Sequence, residues 1–350
     1  MAEYQRLDEV CHINMGQSPD SKSYNQEGVG LPFFQGNADF GAVHPETRVW
    51  CSSPTKIVEA GTLLISVRAP IGALNFAKER SCIGRGLAGI TPQNGVSLKY
   101  IYYCLKGKNK ELNAKGTGST FKAIAKSALG ETSVKIVSEE DQLKIIQTLD
   151  RVSSVIEARK QQLTELDNLI KARFVELFYD KGYPVLKWND VFNTTTGKLD
   201  SNAAVDSGEY PFFTCSKEVL RIDKYAFEQE ALLLAGNNAA GKYDVKYYNG
   251  KFNAYQRTYV LGLKEDWSYR LFQYQLENKL VYLQQQSLGG LTKYLTLKIL
   301  GELEFIIPPK DKQEEFELFV KQTDKSKVVV QKALDEAQTL FDSLMQEYFG

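Results

Sequence analysis

Residues 139–180 read EEDQLKIIQTLDRVSSVIEARKQQLTELDNLIKARFVELFYD and contain neither proline nor glycine. Their apolar side chains recur at alternating intervals of three and four residues, at Leu149, Val152, Ile156, Leu163, Leu166, Ile170 and Leu177. This is the a/d stripe of period 3.5 that is typical of a coiled coil. A helix of about 40 residues is about 60 Å long, which is too long for a compact domain. We therefore predict a structural helix over residues 139–180.

Two arginines, Arg159 and Arg173, occupy positions of this apolar stripe. Polar residues in a helical seam can pair with acids on the facing helix and fix its register. Alternatively, the two arginines mark a face that binds partner proteins. The sequence does not separate these two roles.

A second helix with the same stripe is predicted over residues 311–350. Proline and glycine are absent from 311–349, and Pro308-Pro309 stands just before this stretch, where proline is tolerated. The stripe, interrupted by Thr323 and Lys327, consists of Phe316, Val320, Val330, Leu334, Ala337, Phe341, Leu344 and Tyr348. We expect the two long helices to form an antiparallel coiled coil. The alternative is that each helix packs on its own globular domain.

The rest of the chain repeats itself at a period of roughly 170–180 residues. The matched pairs are Leu7-Asp8-Glu9-Val10 with Trp188-Asn189-Asp190-Val191, Leu31–Phe34 with Tyr210–Phe213, Thr62–Val67 with Ala231–Ala235, Gly116–Lys122 with Ser287–Lys293, Gly130-Glu131 with Gly301-Glu302, and Gln142 with Gln313. The order of the matches indicates a duplicated module with pseudo-two-fold symmetry. Tyrosine, phenylalanine, glycine and turn residues are frequent in residues 1–138 and 181–310, which favours two α+β modules built around β structure. We therefore predict an α+β chain in which modules 1–138 and 181–310 alternate with helices 139–180 and 311–350.

The net charge is zero, but the charges are unevenly distributed. Residues 99–126 carry seven lysines against one acid, Glu111, and residues 242–264 carry five basic residues against Asp244. The acids are concentrated in the two helical stretches. This distribution predicts two basic surfaces on an acidic scaffold, a pattern that favours nucleic acid. The alternative is that these lysines only solvate the surface.

Several functions are disfavoured by residues that the chain lacks. The five cysteines form no CxxC pair, and His12 and His44 are the only histidines, so we expect no metal site and little histidine chemistry. The stretch from Gly236 to Tyr243 resembles a phosphate-binding loop, but Tyr243 stands where a magnesium-binding hydroxyl is needed. A turn that offers backbone amides and Lys242 to phosphates or bases is the better interpretation. We expect no cofactor and no catalytic site.

The chain also lacks an apolar run of the roughly 20 residues needed to span a bilayer, and Met1–Val10 lacks the apolar core of a signal peptide. We therefore expect a cytoplasmic protein without membrane contact.

Two similar modules on a helical spacer suit duplex DNA with two separated half-sites. Ordered motifs also resemble the specificity subunit of type I restriction–modification systems. These motifs are Gly16-Gln17-Ser18-Pro19, Leu31-Pro32-Phe33-Phe34-Gln35-Gly36, Leu64–Gly72, Ile83-Gly84-Arg85-Gly86 and Lys171–Phe178. The second half departs from this pattern, because Leu234–Gly241 replaces the Leu64–Gly72 motif.

The resemblance implies two target-recognition domains, each reading one half of a bipartite double-stranded DNA site. It implies two spacer helices, two DNA methyltransferase subunits as partners, and ATP-dependent restriction subunits in the full complex. Adenine modification and cleavage are then carried out by those other subunits. Two alternatives remain: a two-module adaptor that binds proteins, and an enzyme whose site is not evident from the sequence.

Residue types that read bases or hold phosphates mark the candidate DNA contacts. In the first module these are Gln35, Asn37, Arg68, Arg85, Ser119, Thr120 and Lys122. In the second module they are Thr214, Ser216, Lys217, Asn237, Asn238, Lys242, Tyr255, Gln256, Arg257 and Lys293. For each residue the alternative is a surface loop position or a hydrogen bond that stabilises a turn.

Overall fold

The computed structural model describes residues 3–118, 122–239 and 241–350. The chain divides into two compact units, of which the first contains Met1–Lys160 and Lys332–Gly350 and the second contains Gln161–Gln331. Each unit combines one module with half of each long helix. The prediction of two α+β modules and two long helices is confirmed.

The module of the first unit is a mixed α+β fold. Its strands are β1 (Glu3–Arg6), β2 (Cys11–Met15), β3 (Tyr24–Asn25), β4 (Leu31–Phe34), β5 (Trp50–Cys51), β6 (Ile57–Val58), β7 (Leu63–Ser66), β8 (Leu74–Phe76), β9 (Ser81–Ile83), β10 (Leu87–Pro92) and β11 (Ser133–Ile136). Its helices are α1 (Leu7–Val10), α2 (Leu98–Gly107), α3 (Asn109–Lys115) and α4 (Lys126–Gly130). The strands form sheets of order β2-β10-β7-β8 and β3-β5-β4-β9-β6, and β1 pairs with β11.

Strand β7 shows why this module folds as it does. All four of its residues are buried, so the apolar run does not alternate with polar residues. Successive side chains of a strand point to opposite faces of the sheet. Leu63 and Ile65 accordingly join the main core with α2, whereas Leu64 joins a smaller core with Phe34 and Ile83. Strand β7 is therefore covered on both faces.

The module of the second unit is also a mixed α+β fold. Its strands are β12 (Val185–Lys187), β13 (Phe192–Thr196), β14 (Tyr210–Phe213), β15 (Leu220–Ile222), β16 (Phe227–Ala235), β17 (Asn237–Asn238), β18 (Val245–Ala254), β19 (Thr258–Leu263), β20 (Lys293–Tyr294) and β21 (Glu304–Ile306). Its helices are α6 (Trp188–Val191), α7 (Tyr269–Glu277), α8 (Leu280–Gln286) and α9 (Leu297–Gly301). The main sheet has the order β13-β19-β16-β18-β14-β15, with smaller pairs β12–β21 and β17–β20.

One parallel strand pair occurs at the corresponding place in both modules, but the modules differ in how the strands next to this pair are joined. Strand β4 lies parallel to β9 in the first unit, and β14 lies parallel to β18 in the second. Strands β16 and β18 are longer than their counterparts β7 and β9, and they pair with each other over eight residue positions. The two sheets that are separate in the first unit are therefore joined in the second.

The long helices are α5 (Glu139–Phe178) and α10 (Lys310–Phe349). In the first unit, Leu149 and Ile156 of α5 share a core with Phe341 and Met345 of α10. In the second unit, the last turns of α5 pack against the first turns of α10, through Ile170, Leu177, Phe178, Phe316 and Val320. Early residues of one helix thus meet late residues of the other, so the helices pair antiparallel through the predicted stripe.

Arg173 lies in the seam of the second unit. Its guanidinium pairs with Glu315 of α10 and, at 2.7 Å, with Glu176 of its own helix. These hydrogen bonds raise the pKa of Arg173, with Glu176 as the largest cause. Of the two roles that the sequence left open, the pairing role is the one that Arg173 has here.

Both units join the module to its helix through a buried glutamine. Gln142 accepts a hydrogen bond from the Ser97 amide at 2.9 Å and donates to the Val137 carbonyl at 3.0 Å. Gln313 accepts from the Ser268 amide at 2.9 Å and donates to Pro308 at 2.8 Å. Ser97 and Ser268 are the N-cap residues of α2 and α7, whose first amides lack partners within the helix. The matched glutamines of the repeat therefore hold equivalent helix starts.

Candidate nucleic-acid interface

Backbone hydrogen bonds bring separate segments of the first unit together where β4 and β7 end and β10 begins. The Ile124 amide donates to Val67 at 2.9 Å, the Val67 amide donates to Gly86 at 2.9 Å, and the Gly86 amide donates to Gln35 at 3.1 Å. We call the surface formed by residues 34–36, 67–69, 84–86 and 122–124 the first loop edge. Four motifs that are distant in sequence thus meet on one edge.

The second unit contains an equivalent surface. The Leu295 amide donates to Gly236, the Gly236 amide donates to Arg257, and the Tyr255 amide donates to Phe213, all at 2.8 Å. The last bond corresponds to the bond from Gly84 to Phe34 in the first unit, also 2.8 Å. We call the surface formed by residues 213–215, 236–238, 255–257 and 293–295 the second loop edge.

Close backbone contact requires glycine at Gly86. A methyl group built on Gly86 would overlap with the carbonyl oxygen of Gln35. Gly36, its neighbour on the same edge, has nothing within 4 Å of such a methyl group. Glycine is therefore needed at position 86 so that the chain can lie against Gln35. The side chain of Arg85, between Gly84 and Gly86, is exposed on this surface.

Three arginines on the two loop edges have no internal partner. The exposed guanidiniums of Arg68, Arg85 and Arg257 make no ion pair or side-chain hydrogen bond with any residue that the structure describes. Six other arginines form ion pairs or side-chain hydrogen bonds inside the chain: Arg6, Arg48, Arg80, Arg173, Arg221 and Arg270. Outside the loop edges, Arg151 of α5 is also exposed and has no such partner among the described residues. The loop edges thus keep cationic forks available for a ligand, and such forks suit phosphate oxygens or the guanine edge.

The other candidates of the first module lie on or beside the first loop edge. Gln35 and Lys122 are exposed, and Asn37 begins a short 3-10 helix over Asn37–Asp39. The Asp39 carboxylate accepts hydrogen bonds from the amides of Gln35 (2.7 Å) and Gly36 (3.2 Å), so it shapes this loop. Ser119 and Thr120 lie outside the described residues.

In the second module, strand β17 carries Asn237 and Asn238, which pair with Tyr294 and Lys293 of β20. Exposed positions on or next to this edge are Ser216, Lys217, Lys242, Gln256 and Arg257, and Tyr255 is half-buried. The edge therefore combines amide and cationic side chains.

Thr214 is placed differently from the other candidates. It is buried, and its hydroxyl accepts a hydrogen bond from the Ser216 amide at 3.2 Å. The Ser216 hydroxyl in turn accepts from the Glu218 amide at 3.2 Å. Thr214 therefore stabilises a turn, and its buried side chain is not accessible to a ligand.

The segment that resembles a phosphate-binding loop is a turn between two strands. It follows β16 and leads into β18, whereas a nucleotide loop leads into a helix. The amides of Gly236, Gly241 and Lys242 already donate to Arg257, Asn238 and the Asn238 side chain. The turn therefore offers the Lys242 side chain to a ligand rather than these amides.

Several lysines of the two lysine-rich stretches are paired within the chain. Lys99 pairs with Asp150 of α5 at 2.7 Å, and Lys115 pairs with Glu111 at 2.7 Å. In the second module, Lys246 pairs with Asp244, and Lys264 donates to the Asn189 carbonyl at 2.5 Å. Helices and strands turn successive residues to different faces, so only part of each stretch lies near a loop edge.

The described part of the chain contains no group of three or more His, Cys, Asp or Glu side chains that could hold a metal ion. Burial raises the pKa of Cys11 to about 12 and raises the pKa of Cys104 further. These thiols are protonated at neutral pH and poor nucleophiles. Within the ranges that the structure describes, no helix is long and apolar enough to span a membrane.

Sequence reasoning missed two residues that shape the first loop edge. One is Asp39, and the other is Ser18, whose hydroxyl accepts a hydrogen bond from the Arg85 amide at 3.4 Å. Ser18 belongs to the Gly16–Pro19 motif, which was the available signal. For Asp39 the signal was its position three residues after Gly36, since an acid at the third position of a helix can accept a hydrogen bond from the amide of the residue before the helix.

A duplicated α+β module on two antiparallel long helices, with an equivalent loop edge in each copy, defines a two-module protein with an internal repeat. The family model for the type I restriction modification DNA specificity domain matches residues 2–168 and 181–336. The chain belongs to that family.

Known relatives carry the same description. The type I restriction enzyme MjaX specificity subunit of Methanocaldococcus jannaschii, whose name is provisional, is 38% identical over 160 residues, which cover 45% of this chain and 38% of the relative. The EcoDI specificity subunit of Escherichia coli is 35% identical over 134 residues, covering 37% of this chain and 29% of the relative. The match thus spans less than two fifths of either relative.

A solved structure resembles the whole chain. The crystal structure of the type I restriction-modification system S subunit from M. genitalium has a TM-score of 0.64 and 17% sequence identity. The similarity covers 100% of this chain and 96% of that one. At this identity the likeness concerns the fold alone.

Proposed function

We propose that the chain is the DNA-specificity subunit of a type I restriction–modification complex. Each loop edge reads one half of a bipartite double-stranded site. The observation that carries this proposal is that both edges, built on the same hydrogen-bond pattern, hold exposed arginines without internal partners. Arginine is the residue type that most often reads guanine in the major groove, and it also holds phosphates.

The candidate contacts of the first module are Gln35, Asn37, Arg68, Arg85, Ser119, Thr120 and Lys122. Those of the second module are Ser216, Lys217, Asn237, Asn238, Lys242, Tyr255, Gln256, Arg257 and Lys293. Among them we assign Arg85 and Arg257 the leading roles. Arg85 lies between Gly84 and Gly86 on the first edge, and the Arg257 carbonyl accepts the Gly236 hydrogen bond on the second.

We further propose that the two long helices set the distance between the half-sites and dock two DNA methyltransferase subunits, with restriction subunits joining the full complex. Catalysis is then carried out by these partners, and this chain supplies sequence specificity. The helix length of about 60 Å supports the spacer role, since 40 residues rise by about 1.5 Å each. Exposed apolar residues such as Leu169 and Leu318 on the helices support docking.

The test is co-expression with the neighbouring DNA methyltransferase gene, followed by sequencing of modified adenines. We expect a motif of two short specified parts around an unspecified gap. Formation of a methyltransferase complex that modifies adenines without a bipartite motif would contradict the proposal, as would failure to form a complex or to modify DNA.

The roles of the two arginines are tested with matched variants. Arg85→Ala should relax one part of the motif and Arg257→Ala the other, each with a loss of affinity of at least about tenfold. Arg80→Ala is the control, because Arg80 pairs with Glu59 at 3.2 Å and lies outside the first loop edge. If Arg85→Ala and Arg80→Ala bind DNA equally well, Arg85 does not contact the DNA. A fall of about 0.9 in the slope of log affinity against log salt would identify a phosphate contact.

A further inference from the structure

Residues 288–294 form a closed loop whose last two residues, Lys293 and Tyr294, belong to the second loop edge. The Leu288 amide donates to Tyr294 at 3.0 Å, and the Tyr294 amide donates to Leu288 at 2.9 Å. Gly289 has a φ of +100°, and a side chain on it would overlap with the Thr292 carbonyl oxygen, so the turn requires glycine. The loop therefore has a fixed base, and Leu291 is near its tip.

Leu291 is 96% exposed, the highest value among the large apolar residues that the structure describes. Leu288 (48%) and Tyr294 (42%), at the base of the loop, are also exposed. Single exposed leucines are common on protein surfaces, so exposure alone carries no assignment. The position of Leu291 next to a DNA-reading edge is what gives its exposure a meaning.

The base of this loop is part of the second loop edge. Strand β20 begins two residues after Leu291 and pairs Lys293 with Asn238 and Tyr294 with Asn237. The turn before β18 lies against the same segment, because a methyl group built on Gly241 would be 3.4 Å from Cγ of Lys293. Leu291 thus extends from a surface made of asparagine and lysine side chains.

The first module closes the corresponding loop in the same way. Thr117 and Ala123 exchange two backbone hydrogen bonds, both of 2.9 Å, and they stand 171 positions before Leu288 and Tyr294. At the same offset, Leu291 corresponds to Thr120. The loop is therefore a shared part of both modules, and its leucine distinguishes the second.

We propose that Leu291 contacts the 5-methyl group of a thymine in the half-site read by the second module. This inference rests on the proposed function. The major groove presents hydrogen-bond acceptors, hydrogen-bond donors and the thymine methyl group, and the methyl group is the feature that an apolar side chain recognises. Neighbouring asparagine and lysine side chains supply the polar contacts to bases and phosphates, and Leu291 supplies the apolar contact.

The test uses the complex with the methyltransferase and a duplex that contains its modified site. Each thymine of the second half-site is replaced in turn by uracil, which lacks the methyl group. One such replacement should weaken binding by the unaltered complex about fourfold, the value of one buried methyl-sized group. Leu291→Ala should bind about as weakly on the thymine duplex and should lose the sensitivity to uracil.

Leu297→Ala is the matched control, because Leu297 is 58% exposed but lies on α9, after the loop. It should keep the full sensitivity to uracil. If the complex binds its site and no uracil weakens binding, or if Leu291→Ala stays as sensitive as the control, the Leu291 inference is overturned while the proposed function stands. A second half-site without any A·T pair also overturns it. If no specific site is bound or modified at all, the proposed function itself fails.

Discussion

Replacing Gln313 by leucine should destabilise the second unit through two specific lost hydrogen bonds. Gln313 is 2% exposed, and Ser268, whose amide it accepts from, is 5% exposed. Leucine has a similar size but can neither accept from Ser268 nor donate to Pro308. Each buried group left without a partner costs about 1–3 kcal/mol. Leucine gains some apolar contact in return, so we expect a net loss of about 2–4 kcal/mol in the free energy of unfolding.

The corresponding replacement in the first unit, Gln142→Leu, should cost less. Both hydrogen bonds of Gln142 reach partners that are only partly buried, namely Ser97 and Val137. Water can replace part of what is lost there, so we expect about 1–2 kcal/mol. The difference between the two variants follows from burial alone, since the chemical change is the same.

Urea unfolding followed by circular dichroism measures the loss of stability in both variants. Hydrogen exchange at the Ser268 amide locates the loss caused by Gln313→Leu. Gln161→Leu is the control, because Gln161 is exposed and bonds only to Glu165 of the same helix among its described side-chain partners. The control should stay within about 0.5 kcal/mol of the unaltered protein. Gln313→Leu as stable as Gln161→Leu would refute the assigned role of the buried glutamine.

Three further predictions concern the loop edge, the helices and the second core. Gly86→Ala should force the chain away from Gln35 and weaken binding of the first half-site by at least about tenfold. Gly36→Ala should bind normally. If a binding assay gives the two variants equal affinity for DNA, the close packing at Gly86 is contradicted. Insertion of one heptad into each long helix, after Lys160 and after Gln331, should lengthen the gap of the modified motif by about three base pairs. Seven residues add about 10.5 Å of helix and keep the apolar stripe in phase. An unchanged gap in the sequenced motif would exclude the spacer role. Thr194→Val should lower the free energy of unfolding, measured in urea, by about 1–2 kcal/mol, because the buried Trp188 indole donates to the Thr194 hydroxyl at 2.8 Å. Thr195→Val, at an exposed position, should change it little. An equal loss in both variants would argue against the bond between Trp188 and Thr194.

The long helices were predictable because their pattern is local. An a/d stripe over 40 residues without proline or glycine leaves few alternatives, and α5 and α10 lie where the stripe is. The match between Gln142 and Gln313 was also visible in the sequence. Its physical reason was not visible, because each glutamine bonds to a serine 45 residues away.

The loop edges were less predictable because they depend on contacts between distant segments. Val67, Gly86 and Ile124 become neighbours only through the strand order of the folded module. The ion pairs of Lys99 and Lys115 with acids are likewise not visible in a count of lysines along residues 99–126. Leu291 was missed because an apolar residue in a glycine-rich stretch gives no sign that it is exposed.

We propose above that each module reads its own half of a bipartite DNA site. The most direct measurement is to exchange residues 1–138 for the corresponding segment of another family member, co-express the hybrid with the methyltransferase, and sequence the modified adenines. We expect that one specified part of the motif changes while the other part and the gap stay the same. A motif that changes in both parts, or in neither, would contradict it.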